Sequence, residues 1–186
     1  NPAVCIIAVK PQIIFEAVSN LKGYKQSETL FISIAAGITL KQLEQAISSD
    51  STIIRAMPNT PSAVGKGITA LIGNSAAKNE HILISKILLE KISEVVELEH
   101  EDQMDIVTGL SGSGPAYVFY LIESLTNAGI ELGLSKEKAL NLAKVTVAGS
   151  GALAMSSTEN PSILRENVTS PNGTTQAGLE ILMDKK

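Results

Sequence analysis

Cysteine occurs once, as Cys5 in an apolar run, so the chain cannot build a disulfide framework or a cysteine-based zinc cluster from its own residues. A reducing cytoplasm is the setting this suggests. Tryptophan is absent, and phenylalanine and tyrosine together make up only 3% of the 186 residues. With a net charge of −4 and no lysine- or arginine-rich stretch interleaved with aromatics, nucleic acid is not an expected partner. No apolar run approaches the ~18 residues of a membrane span, and no basic apolar leader is seen, so neither insertion nor export is expected. His81 and His100 stand apart without metal-ligand spacing and are read as surface residues. What remains is 44% hydrophobic and 18% charged, the composition of an ordinary soluble chain of one or two domains.

The pattern changes near residue 100. Before it, short β-branched runs at residues 4–9, 30–34, 52–55 and 95–98 alternate with amphipathic stretches at 13–21, 40–47 and 82–92. Such alternation predicts a parallel α/β sheet. After it, helical periodicity dominates, with one long helix reaching Gly129 and another running from Ser135 to about Met155. Two domains are expected, residues 1–100 and 101–186. The small residues Ala148, Gly149, Gly151, Ala152 and Ala154 would let a neighbouring helix backbone come close.

Two motif matches fail on context. Gly149-Ser150-Gly151-Ala152-Leu153-Ala154 fits the dinucleotide pattern G-x-G-x-x-A, but it lies inside a helical run whose N–H groups are already paired. Ser135-Lys136-Glu137-Lys138 fits the S-x-x-K of acyl-serine enzymes, yet Ser135 stands where a helix cap is needed. Ser111-Gly112-Ser113-Gly114-Pro115 has no base at readable spacing and is read as a tight turn before the first long helix.

Two other features do point to ligands. The strand ends Ala8-Val9-Lys10-Pro11, Ile34-Ala35-Ala36-Gly37 and Met57-Pro58-Asn59-Thr60-Pro61 combine small residues and prolines where open α/β sheets bind flat cofactors. Near the far end, Ser170-Pro171-Asn172-Gly173-Thr174-Thr175 runs into the apolar-periodic Ala177, Leu179, Ile181 and Leu182. A turn entering a helix in this way aims free backbone N–H groups and two hydroxyls at one point, a seat for a small carboxylate.

These segments, in this order and together with Thr108-Gly109-Leu110-Ser111-Gly112-Ser113-Gly114-Pro115-Ala116-Tyr117 and the run from Leu164 to Thr175, resemble the pyrroline-5-carboxylate reductase family over nearly the whole chain. The resemblance implies a Rossmann-type domain holding NADPH, with NADH as the variant, followed by an all-α dimerisation domain. It also implies an active site formed between the two, and dimers gathered into a larger ring such as a decamer. The activity implied is reduction of 1-pyrroline-5-carboxylate to L-proline by hydride transfer, the last step of proline biosynthesis.

Carried over by motif position, Ala8, Val9, Lys10, Pro11, Ile34, Ala35, Ala36, Asn59 and Asn167 would meet the cofactor. Ser170, Gly173, Thr174 and Thr175 would take the substrate carboxylate, with Thr175 at the ring nitrogen as the catalytic group. Glu101 and Glu159 match acidic positions at the substrate end. Reduction of a cyclic imine needs oriented approach more than a titrating base, which suits the lack of a His–Asp pair.

The chain departs from the family at its start, where a glycine-rich first strand and turn are expected, and at its end, where a closing helix is expected. A truncated oligomerisation fragment without activity is therefore the rival reading. Asn172 replaces the glycine usual in the family, and Asn tolerates a left-handed backbone.

Overall fold

The computed structural model describes residues 3–19 and 29–183. It divides into two units, Asn1–Tyr117 and Val118–Lys186.

The first unit is built on a five-stranded sheet, β1 (Val4–Ile7), β2 (Leu30–Ser33), β3 (Thr52–Pro58), β4 (Gly67–Gly73) and β5 (Ser93–Glu97), which lie side by side in chain order. β1, β2 and β3 are parallel, with Ile7 beside Ser33 and Ser33 beside Arg55. Their inward residues form near-continuous apolar runs because both faces are covered.

On one face α1 (Ile14–Ser19) and α2 (Leu40–Ala46) bury Ile14, Val18, Leu40 and Leu43 against Ile7, Phe31 and Ile53. On the other, α3 (Asn79–Leu89) sets Leu89 against Ile32, Ile54, Ala56 and Leu71. The period-2 alternation of a strand sends Ile53 to one cluster and Ile54 to the other.

Several expectations need correction. The sheet is mixed, because β4, not foreseen in the sequence, pairs antiparallel with β3 and parallel with β5. The run Gly67-Ile68-Thr69-Ala70-Leu71-Ile72-Gly73 carries glycine at both ends and small residues inside, which weakens the strand signal, and tertiary pairing decides it. His81, expected at the surface, is half-buried, and its Nδ1 accepts the Lys78 N–H at 3.0 Å where α3 begins. The predicted strand at 4–9 stops at Ile7, and the predicted helix over 13–21 is described only to Ser19, residues 20 and 21 lying outside the described part.

From β5 the chain enters α4 (Gln103–Val107), which continues directly into a π-helical turn over Thr108–Gly112. The tight turn expected at Ser111–Pro115 is thus helical, closed by the Ser113 N–H on the Thr108 carbonyl at 2.8 Å. α5 (Gly114–Glu131) follows, with Pro115 in its first turn as expected.

The second unit continues with α6 (Lys136–Ser156), α7 (Pro161–Asn167) and α8 (Thr174–Met183). α5 ends in a Schellman motif. Gly133 adopts φ +102, its N–H bonds the Ile130 carbonyl, and Leu134 N–H bonds the Gly129 carbonyl. Ser135 caps α6 through the Lys138 N–H, and the G-x-G-x-x-A match lies inside α6, so both sequence readings stand. Among the described residues of this unit only Ala139 and Ala143 are buried apolar side chains, while Phe119, Tyr120, Leu142, Val145, Leu153, Ile181 and Leu182 are exposed.

Candidate functional site

Parallel pairing places the carboxyl ends of β1, β2 and β3 at one edge of the sheet. The Ile34 N–H donates to the Ile7 carbonyl at 3.1 Å, fastening the segment after β2 to the end of β1. Ala8 is exposed, Val9 packs on the core, and Lys10 is extended before the 3₁₀ turn Pro11–Ile13. After β2, Ile34 is half-buried, Ala35 is buried with its N–H on Ser33 Oγ at 3.4 Å, and Ala36 is exposed. Methyl-sized side chains at Ala8 and Ala36 leave the adjoining backbone open to a planar ligand, so the residues present fit a nicotinamide nucleotide along this edge.

Asn59, at the same edge, is engaged at both ends of its amide. Its Oδ1 accepts the Ile68 N–H at 3.0 Å and its Nδ2 donates to the Ser111 carbonyl at 3.1 Å. The side chain therefore braces β4 and the π-helical turn against the segment after β3. The second amide hydrogen and the second lone pair of Asn59 stay available to a ligand while both bonds hold.

Glu101 is drawn into the sheet unit. Its Oε1 accepts from Arg55 Nη1 and from the Leu40 N–H, each at 2.7 Å. Arg55 is 5% exposed, in the middle of β3. A charge inside the apolar run Thr52–Pro58 must find a counter-charge, and that was the available sign in the sequence that Arg55 has a partner.

In the second unit α7 and α8 frame the loop of residues 168–173. Asn172 holds φ +58, the left-handed conformation that asparagine tolerates. The Gly173 N–H donates to the Ser170 carbonyl at 3.1 Å, and the Asn172 N–H to Gln176 Oε1 at 2.8 Å. Gln176, which sequence reasoning missed, is a reach-back cap in the third position of α8. The open donors thus begin at Thr174 and Thr175, whose N–H groups have no intrahelical acceptor, and the Gly173 N–H is spent on the turn. Thr174, Thr175 and Ser170 are exposed.

Asn167 and Glu159, one expected at cofactor and one at substrate, are brought together by Asn167 Nδ2 donating to Glu159 Oε2 at 3.4 Å. An open cleft of about 500 Å³ lies beside the loop, lined by Arg165, Thr169, Gln176 and Leu179. The Cys5 thiol is pushed up by burial, which makes it a poor nucleophile. Among the described residues no cluster of His, Cys, Asp or Glu could hold a metal, and no helix is long and apolar enough to cross a membrane.

Residues 101–186 match the family model described as pyrroline-5-carboxylate reductase dimerisation. Over 179 residues the chain is 40% identical to pyrroline-5-carboxylate reductase 1 of Bacillus subtilis, covering 96% of this chain and 60% of that relative. The fold is similar to the crystal structure of Plasmodium falciparum pyrroline carboxylate reductase with NADP bound, at a TM-score of 0.88 and 36% identity, over 97% of this chain and 68% of that one. A pyrroline-5-carboxylate reductase from Coxiella burnetii matches at a TM-score of 0.89 and 37% identity, over 98% and 68% of the two chains.

Proposed function

The chain belongs to the pyrroline-5-carboxylate reductase family, and from that premise we propose that it serves in the NADPH-dependent reduction of 1-pyrroline-5-carboxylate to L-proline. The observation that carries the reading is the convergence of the ends of β1, β2 and β3, with their small residues, at one sheet edge in a chain of this family. NADP in the Plasmodium relative favours the phosphorylated cofactor, with NADH as the alternative.

Ala8, Val9, Lys10, Pro11, Ile34, Ala35 and Ala36 would hold the dinucleotide, with Asn59 supporting them and Asn167 as a further cofactor residue. Bound there, the nicotinamide supplies the hydride. The Thr174 and Thr175 N–H groups, with the Ser170 hydroxyl, hold the substrate carboxylate at the start of α8, where the helix dipole favours a negative charge. The Thr175 hydroxyl orients the ring nitrogen, and Glu159, which accepts from Asn167, would serve the substrate end. No side chain has to take up a proton from carbon, since hydride delivery to an iminium carbon needs orientation and charge complementarity.

Self-association follows from the same reading, with α5, α6 and α8 supplying the apolar surfaces of a dimer and dimers forming a larger ring such as a decamer. The cytoplasm is the compartment that fits a free thiol and this chemistry.

The decisive assay follows NADPH absorbance with 1-pyrroline-5-carboxylate on the full gene product containing this chain. Substrate-dependent loss of NADPH is the expected result. A product that stays dimeric but never oxidises NADPH would support the oligomerisation reading instead.

A further inference from the structure

We propose that Glu101 is a positioning residue for the cofactor, acting through Arg55 and the N-terminus of α2, an inference that rests on the reading of the sheet edge given above. One oxygen, Oε1, accepts both the Arg55 guanidinium and the Leu40 N–H at 2.7 Å. Arg55 stands in β3 two residues before Met57, and its register neighbour is Ser33, the last residue of β2. Leu40 is the first residue of α2, and only Gly37, Ile38 and Thr39 separate it from Ala36. The carboxylate therefore ties together β3 and the far end of the loop joining β2 to α2.

That loop carries Ile34, Ala35 and Ala36. Its near end is fixed by the Ile34 N–H on the Ile7 carbonyl and the Ala35 N–H on Ser33 Oγ. Its far end is fixed by the capping box of Thr39 and Gln42, which is local to α2, and by Glu101, which alone of these links it to the sheet through a charged partner. Charge-assisted bonds to a nearly buried guanidinium are strong restraints and leave little freedom of position. Removing the carboxylate would release the helix start and let the loop backbone move away from the edge where the dinucleotide lies. Glu101 is placed to act on the cofactor without touching it, which differs from the substrate contact implied by the family resemblance.

The test uses the full gene product and two variants, Glu101→Gln and the apolar pair Arg55→Leu with Glu101→Leu. The pair removes both charges, so that no guanidinium is left uncompensated. NADPH Kd, KM for 1-pyrroline-5-carboxylate at saturating NADPH, and melting temperature are measured for each. The expected result is a rise of about tenfold or more in NADPH Kd for both variants, the loss of a charge-assisted restraint, with substrate KM within about twofold of the parent.

A rise in substrate KM with unchanged NADPH Kd would overturn the inference and make Glu101 a substrate ligand. Recovery of both melting temperature and NADPH affinity in the apolar pair would also overturn it, leaving the ion pair as packing alone, and so would unchanged NADPH affinity in the Gln variant. A parent protein that neither binds NADPH nor turns over overturns the proposed function itself, a result distinct from any of these.

Discussion

At the scale of single residues, the loop before α8 separates positions that hold its shape from those left to meet a ligand. Asn172 must remain at φ +58 while its N–H reaches Gln176. Replacing it with valine should cost about 1–2 kcal/mol in thermal unfolding, because a β-branched side chain resists that conformation, whereas glycine should be tolerated. Thr175 carries no such structural duty among the described hydrogen bonds. Thr175→Ala should therefore lower kcat/KM for the imine by roughly 10- to 100-fold, about 1.4 to 2.7 kcal/mol, while NADPH affinity stays near normal. Equal loss of both in steady-state and titration measurements would remove Thr175 from the substrate site.

The element scale shows how β4, the strand hidden in the sequence, is held. Asn59 clamps its first residues to the π-helical turn, so Asn59→Leu strands the Ile68 N–H and the Ser111 carbonyl. Urea denaturation should register a loss of about 2 kcal/mol or more. Gly67 begins the same strand, and a Cβ there would stand 2.7 Å from the Ser62 backbone nitrogen and 2.8 Å from its Cα. Backbone cannot swing aside as a side-chain tip can, so Gly67→Ala should destabilise by about 1–3 kcal/mol in the same experiment.

These contacts also explain why β1, β2 and β3 were readable and β4 was not. The first three are dense in Val, Ile, Leu and Phe because helices cover both faces. β4 depends through Asn59 on a turn 52 residues further along the chain than Asn59, and Arg55 likewise acquires its partner only when the chain closes on itself.

For the whole molecule, the contrast between the two units matters most. The sheet unit has two buried apolar clusters, whereas the described helical unit buries only Ala139 and Ala143 among its apolar side chains. Helices this apolar need a partner surface to become stable. The melting temperature should accordingly rise with protein concentration, as mass action requires of a unit stabilised by association. Val145, 63% exposed on α6, tests the surface directly. Val145→Glu should shift the sedimenting species to lower mass, and an unchanged mass would place the interface on other faces.

Local chemistry sufficed for much of this protein. The spacing of apolar residues set most strands and helices, and Ser135 and the glycine–proline run marked helix starts, because each depends on neighbours within a few residues. The ordered motifs identified the family. Tertiary structure alone decided the antiparallel β4, the bond from Asn59 to Ser111, and the pairing of Glu101 with Arg55. Those outcomes rest on partners distant in sequence, which the order of the residues does not record.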